Sequence, residues 1–362
     1  MTAAWSAGLG LGSAADAPAF ARRQAVVTGL RRIELREKEV PSPGRGEMLV
    51  RVQCALSCGT DLKTFRRGHP LFPLPTPIGH EFSGVVAALG AGVRGFELGQ
   101  PVMAAPTAPC RECFLCRRGQ ENLCRSAIAN MVLGAYGDYL LLPRHLVAIN
   151  VFPKPAQISF ERAALLEPVS CVVHAQELAR PQSFETVLVI GAGPFGLLHL
   201  IVLRSYGVQR VAVSGRRAAR LNWARQLGAD LVVDAALPGA ADSLRRLNDG
   251  YGPDLVIECT GEVAGWQAAL RLVRRGGRVV LFGGCPAGSS LKIDTRRLHY
   301  DNLTLLAPFH FRPRDVQRAR ELLCDPRLAL ERVITERRRL SEIAEVFGFL
   351  EKGDVLKCAV VP

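Results

Sequence analysis

ETVLVIGAGPFGLLHLIVLRSYGVQRVAVSGRR, residues 185–217, is the stretch of sequence that decides the fold. An apolar strand core (ETVLVI) runs into a glycine-rich turn, a segment with helical periodicity follows, and a second apolar strand core (RVAVS) comes next. This order predicts a strand, a crossover helix and a parallel strand. Because such crossovers are right-handed, the unit predicts part of a doubly wound parallel sheet.

The turn between the first strand and the helix has the pattern G-x-G-x-x-G, formed by Gly191, Gly193 and Gly196. The first glycine permits the tight turn, the second lets the backbone approach a pyrophosphate, and the third lets helix and strand pack closely. The phosphates would then meet the amide groups of the helix N-terminus. We therefore predict a dinucleotide site that includes Pro194 and Phe195. The alternative is a tight turn with a structural purpose only.

The end of the second strand predicts which dinucleotide binds. An NAD site normally has Asp or Glu there to hold the ribose 2′-hydroxyl. In this chain Ser214 and Gly215 end the strand, and Arg216 and Arg217 follow. Without a carboxylate, and with two guanidiniums close by, a 2′-phosphate is favoured. The pattern predicts NADP(H) over NAD(H); the alternative is two solvated arginines at the start of a helix.

The chain has two regions that differ in their pattern of apolar residues. From about residue 167 to 284, apolar strand cores alternate with helical spacers, as a doubly wound sheet requires. From about residue 25 to 150, Gly and Pro interrupt short apolar runs every ten or so residues, which is typical of a barrel-like β domain. Residues 1–22, rich in Ala, Gly and Ser, predict a disordered extension. The predicted fold class is α/β plus β, in two domains.

Four cysteines lie within 15 residues, in the pattern C-x2-C-x2-C-x7-C: Cys110, Cys113, Cys116 and Cys124. Structural Zn²⁺ prefers four thiolates in a tetrahedron, and such short spacings let one loop wrap the ion. Disulfides and free thiols are the alternatives. Disulfides between such close cysteines would close very tight rings, and the segment lacks the apolar character of buried thiols. We predict a structural zinc that holds a lobe together.

A second ligand set is spread over three motifs. Cys58 comes from ALSCGTD, His80 and Glu81 come from PIGHEFSG, and Glu167 comes from EPVSCVVH. A thiolate, an imidazole and a carboxylate supply three ligands and leave a fourth position open for water or substrate. Asp61 could orient His80 through the second ring nitrogen, as metal-bound imidazoles usually require. The sequence therefore predicts two zinc ions per chain.

Composition and charge exclude several classes of protein. Forty-eight per cent hydrophobic and 22% charged residues indicate a globular chain, and no apolar run reaches the roughly 18 residues of a membrane span. The net charge is +13, but 40 of the 46 basic residues are Arg and they are interleaved with Asp and Glu, which argues against nucleic-acid binding. Clustered cysteines without a secretory signal indicate a reducing compartment, and we predict a cytoplasmic protein.

Taken in order, these motifs resemble the zinc-containing medium-chain dehydrogenases, nearest the sorbitol (polyol) and threonine dehydrogenases. The ordered set is CGTD, GHEFSG, the four cysteines, EPVSCVVH, GAGPFG, ECTG and VVLFGG. The resemblance implies a GroES-like β-barrel catalytic domain, residues 23–165 and 303–362. It also implies a Rossmann coenzyme domain, residues 166–302, and a homodimer or homotetramer.

The resemblance also implies roles for residues of the open metal site. Cys58 and His80 match ligands of the reactive zinc, and Glu167 matches the third ligand. Glu81 is the ligand in some relatives. Thr60 matches the hydroxyl that hydrogen-bonds the substrate oxygen and starts the proton relay. Lys63 stands where many relatives have a relay histidine.

At the coenzyme end, the resemblance implies that Thr260, Phe282 and Gly283 lie beside the nicotinamide. Two positions depart from the family pattern. Gly215 replaces the usual acidic residue at the end of the second strand, and His310 lies near the place where polyol enzymes have a substrate-binding arginine.

The predicted reaction is hydride transfer between a small secondary alcohol or polyol, or its ketone, and NADP(H). The alternatives are a threonine-type amino-alcohol dehydrogenase, a catalytically silent NADPH-binding protein on the same fold, and a zinc-ribbon nucleic-acid module. An intact open metal set argues against the silent protein, because a protein without catalysis has no need of an open metal position.

Overall fold

A computed structural model describes residues 21–353 and 355–362. Most of the predicted N-terminal extension, residues 1–20, lies outside the described residues. The first strand begins at Ala21, two residues before the predicted start of the catalytic domain at residue 23. Backbone pairing explains the difference, because Ala21 lies opposite Glu39 on the next strand, and the Arg23 side chain donates to Asp138 at 2.7 Å.

Strands predominate at the start of the described chain, and strands alternate with helices from β9 to β14. The strands are β1 (Ala21–Gly29), β2 (Arg32–Glu39), β3 (Met48–Leu56), β4 (Thr76–Pro77), β5 (Glu81–Leu89), β6 (Pro101–Ala104), β7 (Tyr139–Leu142), β8 (Val151–Pro153), β9 (Thr186–Ile190), β10 (Arg210–Gly215), β11 (Leu231–Asp234), β12 (Leu255–Glu258), β13 (Arg278–Leu281), β14 (Thr304–Leu306), β15 (Ile334–Arg339) and β16 (Lys357–Val361). The α-helices are α1 (Gly59–Arg67), α2 (Arg125–Ala129), α3 (Arg144–Asn150), α4 (Phe160–Ala164), α5 (Leu166–Ala179), α6 (Pro194–Ser205), α7 (Ala218–Gln226), α8 (Ala240–Arg245), α9 (Val263–Leu272), α10 (Thr295–Tyr300), α11 (Pro313–Cys324) and α12 (Ile343–Lys352).

The catalytic domain is built on two β-sheets. A three-stranded sheet has the order β2–β1–β4, and a larger sheet has the order β15–β16–β3–β5–β6–β8, with β7 paired to β3. Apart from the parallel pair β15–β16, the strand pairs of the larger sheet are antiparallel. Alternate residues of β3 and β5 face a buried apolar core that includes Val50, Val52 and Phe82. The predicted GroES-like β domain is confirmed.

The coenzyme domain is a six-stranded parallel sheet in the order β11–β10–β9–β12–β13–β14. This is the 3-2-1-4-5-6 order of a doubly wound dinucleotide-binding fold, so the predicted Rossmann domain is confirmed. Its last strand, β14, begins at Thr304, beyond the boundary predicted at residue 302. Leu305 pairs in register with Val279 of β13, so the parallel sheet extends to Leu306.

The chain then returns to the catalytic domain. α11 packs against α5, and β16 pairs with β3 with Ala359 opposite Leu56. A single apolar cluster runs through α5 and joins residues of β3 and β6 to residues of β9 and β10. The two domains therefore share one continuous core, which fixes the cleft between them. Within the described ranges, no helix is long and apolar enough to span a membrane.

Candidate active site

The ligand set of the open metal site is assembled by two neighbouring antiparallel strands. Leu56, the last residue of β3, lies opposite Glu81, the first residue of β5. The residues just beyond these strand ends therefore meet: Cys58 caps the N-terminus of α1, and His80 directly precedes β5. Ligand atoms of Cys58, His80 and Glu81 all lie within 4.8 Å of one another, and all three residues are buried.

Asp61 connects this ligand set to its surroundings. Its carboxylate accepts hydrogen bonds from the Cys58 amide (3.2 Å), the Gly79 amide (3.2 Å) and the Tyr136 hydroxyl (2.6 Å), and it lies 3.3 Å from Nδ1 of His80. Burial alone would raise the pKa of Asp61, but the facing imidazole and these donors hold it below its ordinary value. The structure thus places Asp61 where the sequence predicted it, facing the second nitrogen of His80.

Glu81 has a partner that the sequence did not reveal. Nζ of Lys357, on β16, lies 2.5 and 2.7 Å from the two carboxylate oxygens and also donates to the carbonyl of Ser57 (3.0 Å). Lys357 and Glu81 are almost completely buried. Burial raises the pKa of Glu81, and the ammonium group of Lys357 opposes this shift. A lone lysine in the apolar run VLKCAVV was the available signal, because buried lysines are almost always paired.

Glu167 lies in a neighbouring group with Cys171 and His310, whose ligand atoms are also within 4.8 Å of one another. The Cys171 thiol is 3.4 Å from Oε1 of Glu167, one helical turn away on α5, while Oε2 is buried without a hydrogen-bond partner. Nε2 of His310 is 2.6 Å from the Thr107 hydroxyl. Burial lowers the pKa of His310 to about 3, so its ring is neutral. The sequence did not single out Cys171 or Thr107.

Two residues of α1 border the cleft. The Thr60 amide donates to the Cys58 sulfur at 3.5 Å, which fixes Thr60 beside the ligand set, and its side chain is half-buried. Lys63 is exposed, and its Nζ lies 3.5 Å from the carbonyl of Gly284 in the coenzyme domain. Lys63 therefore spans the cleft between the domains.

The four clustered cysteines form a separate group, which we call the zinc lobe, residues 110–129. Their sulfur atoms lie within 4.8 Å of one another, and all eleven cysteines of the chain are free. Backbone amides of Glu112 and Cys113 lower the pKa of Cys110 to about 6, which favours a thiolate. The lobe's own buried apolar residues are only Cys116, Cys124 and Ala127. Four cysteine sulfurs this close together could hold a metal ion, and four thiolates are the ligand set that structural zinc prefers.

The glycine turn has the geometry that the sequence predicted. Gly191 has φ 104°, a conformation that residues with side chains rarely adopt, and it directly follows β9. A Cβ on Gly196 would lie 1.9 Å from the carbonyl oxygen of Gly191, so only glycine allows α6 to start this close to the strand. Pro194 is the first residue of α6, and Gly193 precedes it with its backbone open to a ligand.

The residues predicted beside the nicotinamide meet at the same edge of the sheet. The Phe195 and Phe282 rings are 5.1 Å apart, and Thr260 lies against Gly191. The Thr260 amide donates to Glu258 (2.7 Å), and its hydroxyl also contacts that carboxylate. The indole of Trp266 donates to the carbonyl of Gly283 (2.9 Å). These contacts hold the loops after β12 and β13 in place.

The end of β10 confirms the position of Gly215 as the last residue of that strand. Ser214 is buried, and its carbonyl accepts a hydrogen bond from the Gly191 amide (2.8 Å). Arg216 and Arg217 are exposed, and Arg216 is 3.8 Å from a carboxylate oxygen of Glu262. The strand end therefore has no carboxylate of its own at the position that would face an adenosine ribose.

The donor sets fit zinc. Oε2 of Glu167 is buried without a hydrogen-bond partner, which is costly unless another group satisfies it. A parallel sheet of the dinucleotide-binding order, joined across a cleft to a thiol–imidazole–carboxylate group, defines a metal- and dinucleotide-dependent oxidoreductase.

Comparisons with known proteins identify the family. Residues 44–154 match the alcohol dehydrogenase GroES-like domain, and residues 194–324 match the zinc-binding dehydrogenase family. The chain therefore belongs to the zinc-binding medium-chain alcohol dehydrogenase family and is an oxidoreductase acting on CH–OH groups.

Three similar proteins illustrate the range of this family. A sorbitol dehydrogenase of Halalkalibacterium halodurans is 28% identical over 91% of this chain and 95% of its own length. An L-threonine 3-dehydrogenase of Rhizobium johnstonii is 32% identical over 74% of this chain and 76% of its own length. A solved structure from Sinorhizobium meliloti 1021, described as a zinc-binding dehydrogenase bound to NADP, is 30% identical with a TM-score of 0.85, and covers 95% of this chain and 100% of its own.

Proposed function

We propose that this protein transfers a hydride between a secondary alcohol or polyol, or the corresponding ketone, and NADP(H). The observation that carries the proposal is the short distance between the metal-ligand set and the glycine turn. Lys357 pairs with Glu81 of the ligand set on one side and lies 5.7 Å from the centre of the Phe195 ring on the other. Phe195 belongs to the glycine turn, so a substrate at the metal group would lie next to a bound nicotinamide.

We propose two zinc ions per chain, one in the zinc lobe and one at Cys58 and His80. Glu167 is our choice as third ligand, because both oxygens of Glu81 are engaged by Lys357 whereas Oε2 of Glu167 has no hydrogen-bond partner. A matched pair of variants, Glu167→Ala and Glu81→Ala, tests this. Retained metal and activity in Glu167→Ala, with loss of both in Glu81→Ala, would reverse the assignment.

The chemistry follows from these positions. When bound, zinc lowers the pKa of an alcohol coordinated to it. Thr60 accepts the alcohol proton and passes it outward, with Lys63 at the mouth of the cleft in the place of a relay histidine. A bound nicotinamide would supply the hydride acceptor, so that loss of the proton and of a hydride from the alcohol would leave a carbonyl. Thr260, Phe282 and Gly283 are the residues that would hold the nicotinamide.

The preference for NADP(H) rests on Gly215, Arg216 and Arg217. A 2′-phosphate brings close to two negative charges, and a charge-assisted contact with a guanidinium contributes on the order of 1.5–3 kcal/mol. That range corresponds to roughly ten- to a hundredfold in kcat/KM. The NADP-bound relative from S. meliloti supports the proposal. Gly215→Asp combined with Arg216→Ala should shift the preference towards NAD(H).

One screen tests the function as a whole. The purified protein is assayed with NADP⁺ and NAD⁺ against polyols, inositols, sugar phosphates and L-threonine, and its subunit number is measured by light scattering, with a homodimer or homotetramer expected. Cys58→Ala should abolish turnover and leave the fold intact. A fully active Cys58→Ala protein would refute catalysis at this metal group. L-threonine as the best substrate would favour the threonine-type alternative, which the similarity to the Rhizobium enzyme supports.

A further inference from the structure

Gly353, in the catalytic domain, contacts two arginines of the coenzyme domain. It ends α12 with φ 75°, in the left-handed conformation that favours glycine, and it is buried. Its carbonyl oxygen accepts a hydrogen bond from Nη2 of Arg220 at 3.2 Å. Arg220 lies on the first turn of α7, three residues after Arg217. The contact therefore joins the end of α12 to the segment that follows β10.

The guanidinium of Arg217 occupies the space that a side chain at position 353 would need. A Cβ built on Gly353 would lie 1.3 Å from Nη1, 2.4 Å from Cζ and 2.8 Å from Nη2 of Arg217. No heavy atom can approach another so closely without a bond, so any residue other than glycine must displace Arg217. The position of this guanidinium depends on the absence of a side chain in the opposite domain.

The same arginines border the predicted coenzyme site. Nη1 of Arg220 lies 3.8 Å from a Cβ built on Gly193, the glycine whose backbone a pyrophosphate would approach. Arg217 follows Gly215, the strand end that would face the adenosine ribose, by two residues. The coenzyme's adenosine half would therefore lie close to the Arg217–Gly353 contact.

We propose that Gly353 is a specificity-determining residue for the coenzyme. Its bare backbone seats the Arg217 guanidinium beside the adenosine ribose, where it pairs with the 2′-phosphate of a phosphorylated dinucleotide. This inference rests on the NADP(H) preference proposed above. It adds that the catalytic domain, and not the coenzyme domain alone, sets this preference.

The test measures coenzyme binding by isothermal titration calorimetry on the zinc-loaded protein, and therefore does not depend on the substrate. The quantity compared is the ratio of Kd for NAD⁺ to Kd for NADP⁺. Arg217→Ala should lower this ratio roughly ten- to a hundredfold, as expected for loss of one charge-assisted contact. Gly353→Ala should lower it about fivefold or more, and the double variant should be no lower than Arg217→Ala alone, because both changes act on one guanidinium.

Two further variants separate displacement of Arg217 from backbone strain. Gly92→Ala is the matched control: Gly92 has φ 84°, and a Cβ built there meets no atom within 4 Å, so it should keep the wild-type ratio. Gly353→Asn introduces a side chain with less strain, because asparagine tolerates the left-handed conformation, and it replaces Gly353→Ala if that variant does not fold.

The outcomes distinguish this inference from the proposed function. If Arg217→Ala lowers the ratio while the Gly353 variants keep the wild-type value, the role of Gly353 is refuted and the NADP(H) preference stands. If the wild-type protein binds NAD⁺ as tightly as NADP⁺ and Arg217→Ala changes nothing, the coenzyme preference fails and the role of Gly353 fails with it. Additive effects in the double variant would also refute the shared mechanism.

Discussion

Asp61 shows how single side chains shape the metal group. Its carboxylate accepts hydrogen bonds from two backbone amides and from the hydroxyl of Tyr136, whose oxygen also lies 3.0 Å from the Leu56 carbonyl oxygen. Tyr136 is fully buried and comes from a segment 56 residues after His80. Nothing in the local sequence marked it as part of the site, because its role depends on a contact between distant parts of the barrel.

We predict that Tyr136→Phe weakens retention of the zinc at Cys58 and His80. The change removes one donor to Asp61, so the carboxylate is freer to move away from the imidazole. Loss of such outer contacts typically lowers metal affinity about 10–100-fold. The measurement is the rate of zinc release to a chromogenic chelator. Tyr206→Phe, which removes a hydroxyl that donates to Glu177, is the control and should release zinc at the wild-type rate. Equal rates in the two variants would contradict the prediction.

A second residue predicts how stability depends on pH. His199 is completely buried on α6, where Nδ1 faces the amide of Gln176 and Nε2 has no partner, and burial lowers its pKa to about 3 from an ordinary value of 6.5. Below pH 6.5 the unfolded chain therefore binds a proton at this histidine that the folded protein does not bind. The free energy of unfolding should fall by about 1.3 kcal/mol from this group between pH 7.5 and 5.5.

Urea unfolding at several pH values measures this contribution. His199→Leu should be less stable than the wild type at neutral pH, but its stability should fall less steeply on acidification, by the amount given above. His299→Leu is the matched control, because His299 is exposed, and it should keep the wild-type slope. An unchanged slope in His199→Leu would show that this histidine accepts a proton in the folded protein.

At the scale of elements, the sequence predicted some strands far better than others. The five strands β9 to β13 were all predicted, because continuous apolar cores alternate there with helical spacers. β2, RIELREKE, was not predicted, since most of its side chains are exposed and its pairing with β1 is made by the backbone. β15, ITERRR, was missed because only its first residue is apolar. Charged edge strands carry too little apolar periodicity to be recognised before their partners are known.

The zinc lobe has too small an apolar core to be stable by itself, because only three small buried apolar residues lie within it. Cys110→Ser should therefore lower zinc content from about two to about one equivalent per chain and expose the lobe to proteolysis. Elemental analysis and limited trypsin digestion within residues 110–129 measure both effects. Cys58→Ala is the control, with the same loss of metal but no new cleavage in the lobe. Resistance of Cys110→Ser to trypsin would contradict a structural role for this zinc.

At the scale of the whole molecule, the site depends on contacts that only the complete fold creates. The ligand types, the glycine turn and the zinc lobe were predictable because each follows from a short motif. Lys357 lies 276 positions along the chain from its partner Glu81, and Arg220 meets Gly353 from the other domain. No local pattern specifies such pairs, so their discovery required the arrangement of both domains.

We predict that Lys357→Met destabilises the protein by about 3–5 kcal/mol, because it leaves the buried Glu81 carboxylate without its partner. Adding Glu81→Gln to the same protein removes the unpaired charge and should recover most of that loss. Urea unfolding of the zinc-loaded variants gives both values. If the single and double variants are equally stable, the unpaired Glu81 carboxylate is not the reason why Lys357→Met destabilises the protein.

The return of β16 to β3 has a consequence for how the protein is made on the ribosome. The larger sheet of the catalytic domain contains strands synthesised before the coenzyme domain and two synthesised after it. While the coenzyme domain emerges, the end of β3 at Ala55 and Leu56 lacks the partner that β16 later provides, and an open strand edge can pair with other nascent chains. Until β16 is synthesised, Glu81 also lacks its partner Lys357. We therefore expect newly made chains to need protection from aggregation, and to acquire the zinc at Cys58 and His80 late in biosynthesis.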